Sequence, residues 1–212
     1  MKLNNPLIIF DLEATSNQET DQVRPEKQTN NYIIEIGAVI LDTDLKIRGS
    51  FSSLVRPEER ITPFIENMTH ITNDMVKNSN LWPDVANDFY SWVEKNVKNP
   101  KQARLSSWGS CFDISLLRNT YDKYNKHYPW SGTCPDAKTI ATMWMALSGR
   151  GTSKLSVGYV AEQMGIKPEG QYHRALTDAL VTAKIVKRAM EDLSEGYFLK
   201  QTNGFYRHIK IK

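Results

Sequence analysis

The chain has 212 residues, 40% of them hydrophobic, and a formal charge of +3 from 27 basic and 24 acidic residues. Such a chain fills one sizeable α/β core without demanding a second domain, and its weak positive charge admits a nucleic-acid partner without requiring one. Cys111 and Cys134 are its only cysteines, which excludes a disulfide scaffold or a cysteine-built zinc site and fits two reduced thiols.

In chain order, "MKLNNPLIIF" carries one Lys and an apolar run that meets Asp11 after four residues. It is too short for a signal peptide or a membrane span, so a soluble, cytoplasmic protein with no membrane partner is expected. "LIIF" (7–10), the β-branched "YIIEIGAVILD" (32–42) and "IRGSFSSLVRP" (47–57) read as three strands of a meander. The polar stretch 16–31 between the first two lacks any period and is long for a connection, so it is expected to be functional or mobile.

From "WPDVANDFYSWVEKNVK" the period becomes helical, with Val85, Phe89, Trp92, Val93 and Val97 on one face. "ARLSSW" (103–108) reads as a further strand. Helices follow over "DISLLRNTYDKYN", over "DAKTIATMWMALSG" ending at Gly149, over "LSVGYVAEQMG" ending at Gly165, and over the long "RALTDALVTAKIVKRAMEDL" (174–193). The closing "YFLKQTNGFYRHIKIK" reads as a hairpin turning at Asn203 and Gly204. Residues 1–193 would then form the body of one domain and 194–212 its basic hairpin or tail, with Arg207, Lys210 and Lys212 beside Phe205 and Tyr206.

Successive side chains of a strand alternate faces, so Asp11 and Glu13 project from the same side at the carboxyl end of the first strand. Open α/β sheets place ligand sites there. Carboxylates that close repel unless a cation sits between them, and oxygen ligands select hard ions such as Mg²⁺ or Mn²⁺. A solvated strand end is the alternative. Asp113 follows a predicted strand and opens a helix, where it either caps the first turn or faces the same site. His173 precedes Asp178 by five residues, a spacing that lets both face one cleft, although a lone His is more often a surface or core residue.

Taken as an ordered set, "FDLEAT", "SWGSCFD" and "HRALTDA" resemble the DEDDh family of 3′-to-5′ exonucleases, over roughly residues 6–193. All five signature positions are present: Asp11, Glu13, Asp113, His173 and Asp178. The resemblance implies an α/β, RNase H-like fold with a mixed five-stranded sheet flanked by helices. It also implies two divalent ions, Mg²⁺ or Mn²⁺, which clamp the attacking and leaving oxygens of a phosphodiester. By position, Asp11 would bridge both ions, Glu13 and Asp178 would complete the site of one, and Asp113 would serve the other, partly through water. His173 would be the general base that takes a proton from the attacking water.

The same resemblance implies that the backbone at Ala14 and Thr15 touches the terminal nucleotide, and that Leu12, Met68 and Ile71 form an apolar wall beside its base. Ordinary packing is the alternative for each. His70, in "NMTHIT", stands where many relatives carry Gly, and "WGSCFD" has one residue more between Gly109 and the acid, for which a bulge at the strand end is the expected accommodation. Trp108 either stacks on a base or packs at the strand end. "NLWPDVANDFYSWV" and "SSWG" are similar to the branch that trims histone mRNA and small RNAs. The expected partner is therefore the 3′ end of a single-stranded nucleic acid, RNA or DNA. DNA trimming or repair and a non-catalytic nucleic-acid-binding module are the rival readings, and the spacing does not fix an oligomeric state.

Overall fold

Alternation along the first strand sets the plan of the molecule. The computed structural model describes residues 2–15, 31–195, 197–202 and 205–210. Strand β1 (Leu7–Ala14) pairs antiparallel with β2 (Ile33–Leu41), which pairs antiparallel with β3 (Ile47–Leu54). On its other side β1 pairs parallel with the short β4 (Arg104–Ser106), giving the order β3-β2-β1-β4.

Even-numbered residues of β1, namely Ile8, Phe10 and Leu12, pack with α3 (Trp82–Asn96) and α4 (Ser110–Lys123) through Val85, Phe89, Leu116 and Leu117. Odd-numbered Leu7 and Ile9 pack instead with Ala137 of α5 (Ala137–Leu147) and with Ala183 and Val186 of α7 (Ala175–Glu195). Both faces of the central strand are thus covered, and each fully buried Leu, Ile or Phe contributes about 1.5–3 kcal/mol. α6 (Val157–Gln163) extends the α5–α7 cluster through Val160 and Ala161.

Among the described residues the sheet has four strands where five are expected. Just past β4, the Ser107 carbonyl accepts the N–H of Ala137, the first residue of α5, at 3.1 Å, and Pro135 ahead of that helix has no N–H to give to a ladder. The terminal strands β5 (Tyr197–Thr202) and β6 (Phe205–Lys210) form a separate antiparallel pair, and Asn203 and Gly204 between them lie outside the described residues. So does nearly all of the 16–31 connection.

Two short helices were not expected from the sequence: α1 (Pro63–Thr69) and α2 (Asn73–Val76), capped by Thr62 and Thr72. His70 ends α1 in the left-handed region (φ 56°), a conformation that favours glycine. Gly149 and Gly165 take positive φ just past α5 and α6, as expected of helix stops. Among the described residues no helix is long and apolar enough to cross a membrane.

Candidate active site

β1 builds the site because its odd-numbered face runs on beyond the apolar partners of Leu7 and Ile9. The next two residues on that face are Asp11, opposite Gly37, and Glu13, opposite Glu35. The register with β2 shifts between Glu13 and Ala14, so the ladder changes directly after the second acid.

α7 brings Asp178 in its first turn. The start of this helix lies against β2 at Gly37, where a Cβ would come 2.1 Å from the Leu176 nitrogen, so the approach requires glycine. His173 precedes the helix in the left-handed region (φ 60°) with its side chain exposed. Its N–H donates to Asp178 Oδ2 at 3.0 Å, while Asp178 Oδ1 is buried and accepts no hydrogen bond. The ligand-capable atoms of Glu13, His173 and Asp178 all lie within 4.8 Å of one another.

Asp113 arrives from the opposite flank, buried in the first turn of α4. β4 holds an unshifted register, so the expected bulge is absent; the chain leaves the strand through Gly109 in the left-handed region (φ 75°), and α4 starts at the next residue. No side chain of α4 caps that start. Asp136 does so from the head of α5: its Oδ1 accepts the N–H groups of Gly109 (2.9 Å), Ser110 (3.1 Å) and Lys138 (3.3 Å). Its Oδ2 accepts from the N–H and Oγ1 of Thr139, so one carboxylate caps two helices. Burial pushes Asp136 up, but these hydrogen bonds outweigh it and hold the carboxyl below its ordinary value.

The carboxylates of the site show the opposite balance. Burial, then Asp113, Glu13 and Asp178, push Asp11 well above the carboxylate range. Burial, then Asp178 and Glu35, push Glu13 to about 8, and burial lifts Asp113 to about 6. Asp178 is raised by burial against the pull of the His173 N–H. A crowded group of carboxylates with one unpartnered buried oxygen has the donor chemistry for hard divalent cations.

Met68 is 37% exposed, whereas Ile71 is fully buried with Ile34, Ile61, Ile65 and Val76, and Leu12 belongs to the main core. Thr15 is likewise occupied, its N–H bonded to the Tyr32 carbonyl and its Oγ1 to the Tyr32 N–H, both at 2.9 Å. Of the expected wall, Met68 alone offers open apolar surface. Trp108 packs, donating its Nε1–H to the Leu155 carbonyl at 2.9 Å.

Three neighbours of the site escaped the sequence reading: Glu35, Arg174 and Asp136. The signal for Glu35 is a lone acid inside the otherwise apolar "IIEIGAVIL", which requires a cation or several donors. Arg174 supplies them, with Nη2 2.6 Å and Nε 3.2 Å from Oε1, and Nε 3.1 Å from Oε2.

Known proteins resemble this chain in sequence and fold. The exonuclease model of the RNase T family matches residues 8–186. The chain is 29% identical over 190 residues to a DNA polymerase III PolC-type of Clostridium perfringens, covering 89% of this chain and 11% of that protein. It thus spans about a tenth of the length of such curated relatives. The nuclease domain of 3′hExo, a DEDDh family member bound to rAMP, superposes with a TM-score of 0.71 at 26% identity, over 89% of this chain and 92% of that one. Exonuclease X in complex with 5′ overhanging duplex DNA shares the fold, with a TM-score of 0.62 at 21% identity over 89% and 93%. Since the family model runs from the strand that carries Asp11 and Glu13 into the helix that carries Asp178, the chain belongs to the RNase T-type exonucleases, among the DEDDh 3′–5′ exonucleases.

Proposed function

We propose that the protein removes nucleoside 5′-monophosphates one at a time from the 3′ end of single-stranded nucleic acid. The convergence of Glu13, His173 and Asp178 within 4.8 Å, with Asp178 Oδ1 buried and unpartnered, carries this reading. Asp11 would bridge two divalent cations, Mg²⁺ or Mn²⁺; Glu13 and Asp178 would complete one site and Asp113 the other. When bound, such ions supply positive charge for the phosphodiester oxygens and make water acidic enough to attack near neutral pH.

His173 then acts as the base that accepts the water's proton. Its ring is exposed beside Asp178 and Glu13, where an attacking water can reach it. The His173 N–H fixes Asp178 Oδ2, which leaves Oδ1 to serve as ligand. Ala14 and the exposed Met68 would meet the last nucleotide, with Leu12, Thr15 and Ile71 as their buried support.

RNA is the first substrate expected, because the 3′hExo domain of similar fold holds rAMP. The match to PolC-type DNA polymerases favours a second reading, in which the same chemistry trims DNA. Matched 5′-labelled RNA and DNA oligonucleotides, single- and double-stranded, incubated with Mg²⁺ decide between them. A ladder of products shortened from the 3′ end is expected, and Asp11→Asn or Asp178→Asn should abolish it. Internal cuts or inert substrates would overturn the assignment.

A further inference from the structure

Five acidic side chains gather at the carboxyl end of β1, and one of them is set apart by its bonding. Glu35 stands directly across from Glu13 in the β1–β2 register, with a side chain only 2% exposed. Both of its oxygens are saturated from within: Oε1 by Arg174 Nη2 and Nε, Oε2 by Arg174 Nε and by the Ala175 N–H at 2.9 Å. Asp178 Oδ1, on the same helix start, has no partner. One acid is thus closed to a cation while its neighbours are open to one.

Arg174 is the residue that Glu35 closes upon. It lies between His173 and the first turn of α7, and its carbonyl accepts the Asp178 N–H at 3.0 Å. Its charge also reaches Glu13, on which it exerts a downward pull against burial and the neighbouring acids. A guanidinium forks onto carboxylates readily, so without its present counter-ion it would have an alternative partner in Glu13. A unit positive charge there would also oppose a divalent cation.

We propose that Glu35 is a positioning residue that holds Arg174 away from the metal-binding carboxylates, and that the Glu35–Arg174 pair thereby sets how well the site takes a divalent cation. The pair also clips the turn at His173, whose own N–H is tied to Asp178. The inference rests on the cation-site reading above and concerns residues outside the five signature positions.

Isothermal titration of the metal-free protein with Mn²⁺ tests it, using wild type, Glu35→Gln, Arg174→Gln and the double variant, with thermal unfolding in EDTA as a control of folding. Glu35→Gln should weaken Mn²⁺ binding by about 10- to 100-fold, the range seen when a partner behind a metal ligand is lost. The double variant should return to within about threefold of wild type, because the freed guanidinium is gone. A merely structural pair predicts the reverse, since the double variant lacks every one of these hydrogen bonds. If Glu35→Gln does not fold, Glu35→Asp, which retreats from Arg174 by one methylene, replaces it, again with weaker binding that Arg174→Gln relieves. Equal Mn²⁺ affinity in wild type and the Glu35 variant, or a double variant as weak as the single, overturns this inference alone. A wild-type protein that binds no Mn²⁺ overturns the cation site as well.

Discussion

Asp178 gives its two oxygens different tasks: Oδ2 anchors the backbone of His173, and Oδ1 is held ready without a partner. Because the backbone, and not the imidazole, makes that bond, His173→Ala should keep Mn²⁺ binding while lowering the rate about 10²- to 10⁴-fold, the usual worth of a general base. Steady-state rates and calorimetry on one preparation check both halves. The site's protons give a second prediction. Glu13 moves from an ordinary 4.5 to about 8 and Asp113 from 3.8 to about 6, so the folded, metal-free protein keeps protons that the unfolded chain has already lost. Their contribution to stability therefore falls as pH rises through that window, and a cation must expel the same protons. Mn²⁺ affinity should rise between about pH 6 and 8 with proton release. Titrations in buffers of different ionisation heat would show it, and an absence of release would refute the clustered-carboxylate account.

At the scale of elements, Asp136 joins α4 to α5 and thereby sets where Asp113 stands. Asp136→Ala should cost about 2 kcal/mol for the lost caps, a fall in Tm of roughly 4 to 8 °C, and should also lower kcat. Asp136→Asn, which keeps an acceptor oxygen, should retain most of both. Melting curves read beside turnover rates test the pair. The sequence made much of this scaffold legible. β-branched runs marked β1 to β3, and a 3.6-residue period marked the long helices, because packing on one face leaves those rhythms. α1 and α2 span seven and four residues, too few for a period to show. The five acid and imidazole positions were readable as an ordered motif. The partners Glu35, Arg174 and Asp136 were not, since their meeting depends on strand register and on helix starts brought together only by the fold.

For the whole molecule, the site lies where the halves of the fold meet: β1 at the centre, α4 on one flank and α7 on the other. A cation held there ties these elements together, so Mn²⁺ at about 100 times its Kd should add roughly 2.7 kcal/mol, or about 5 to 10 °C in Tm, reversed by EDTA. Differential scanning calorimetry with and without chelator measures it, and an unchanged Tm would count against the site. The odd and even parity of β1 carries a last consequence, one of heredity. Exchanging Asp11 or Glu13 for its amide leaves Ile8, Phe10 and Leu12 in the core, so on the proposed function such a single-letter error should yield a folded but silent copy. Losing the one residue between the acids, Leu12, sets them on opposite faces of the sheet and drives a charge toward the packing of Phe10. A substitution at either acid should then end the proposed activity while sparing the shape, whereas a codon deletion at that point endangers both.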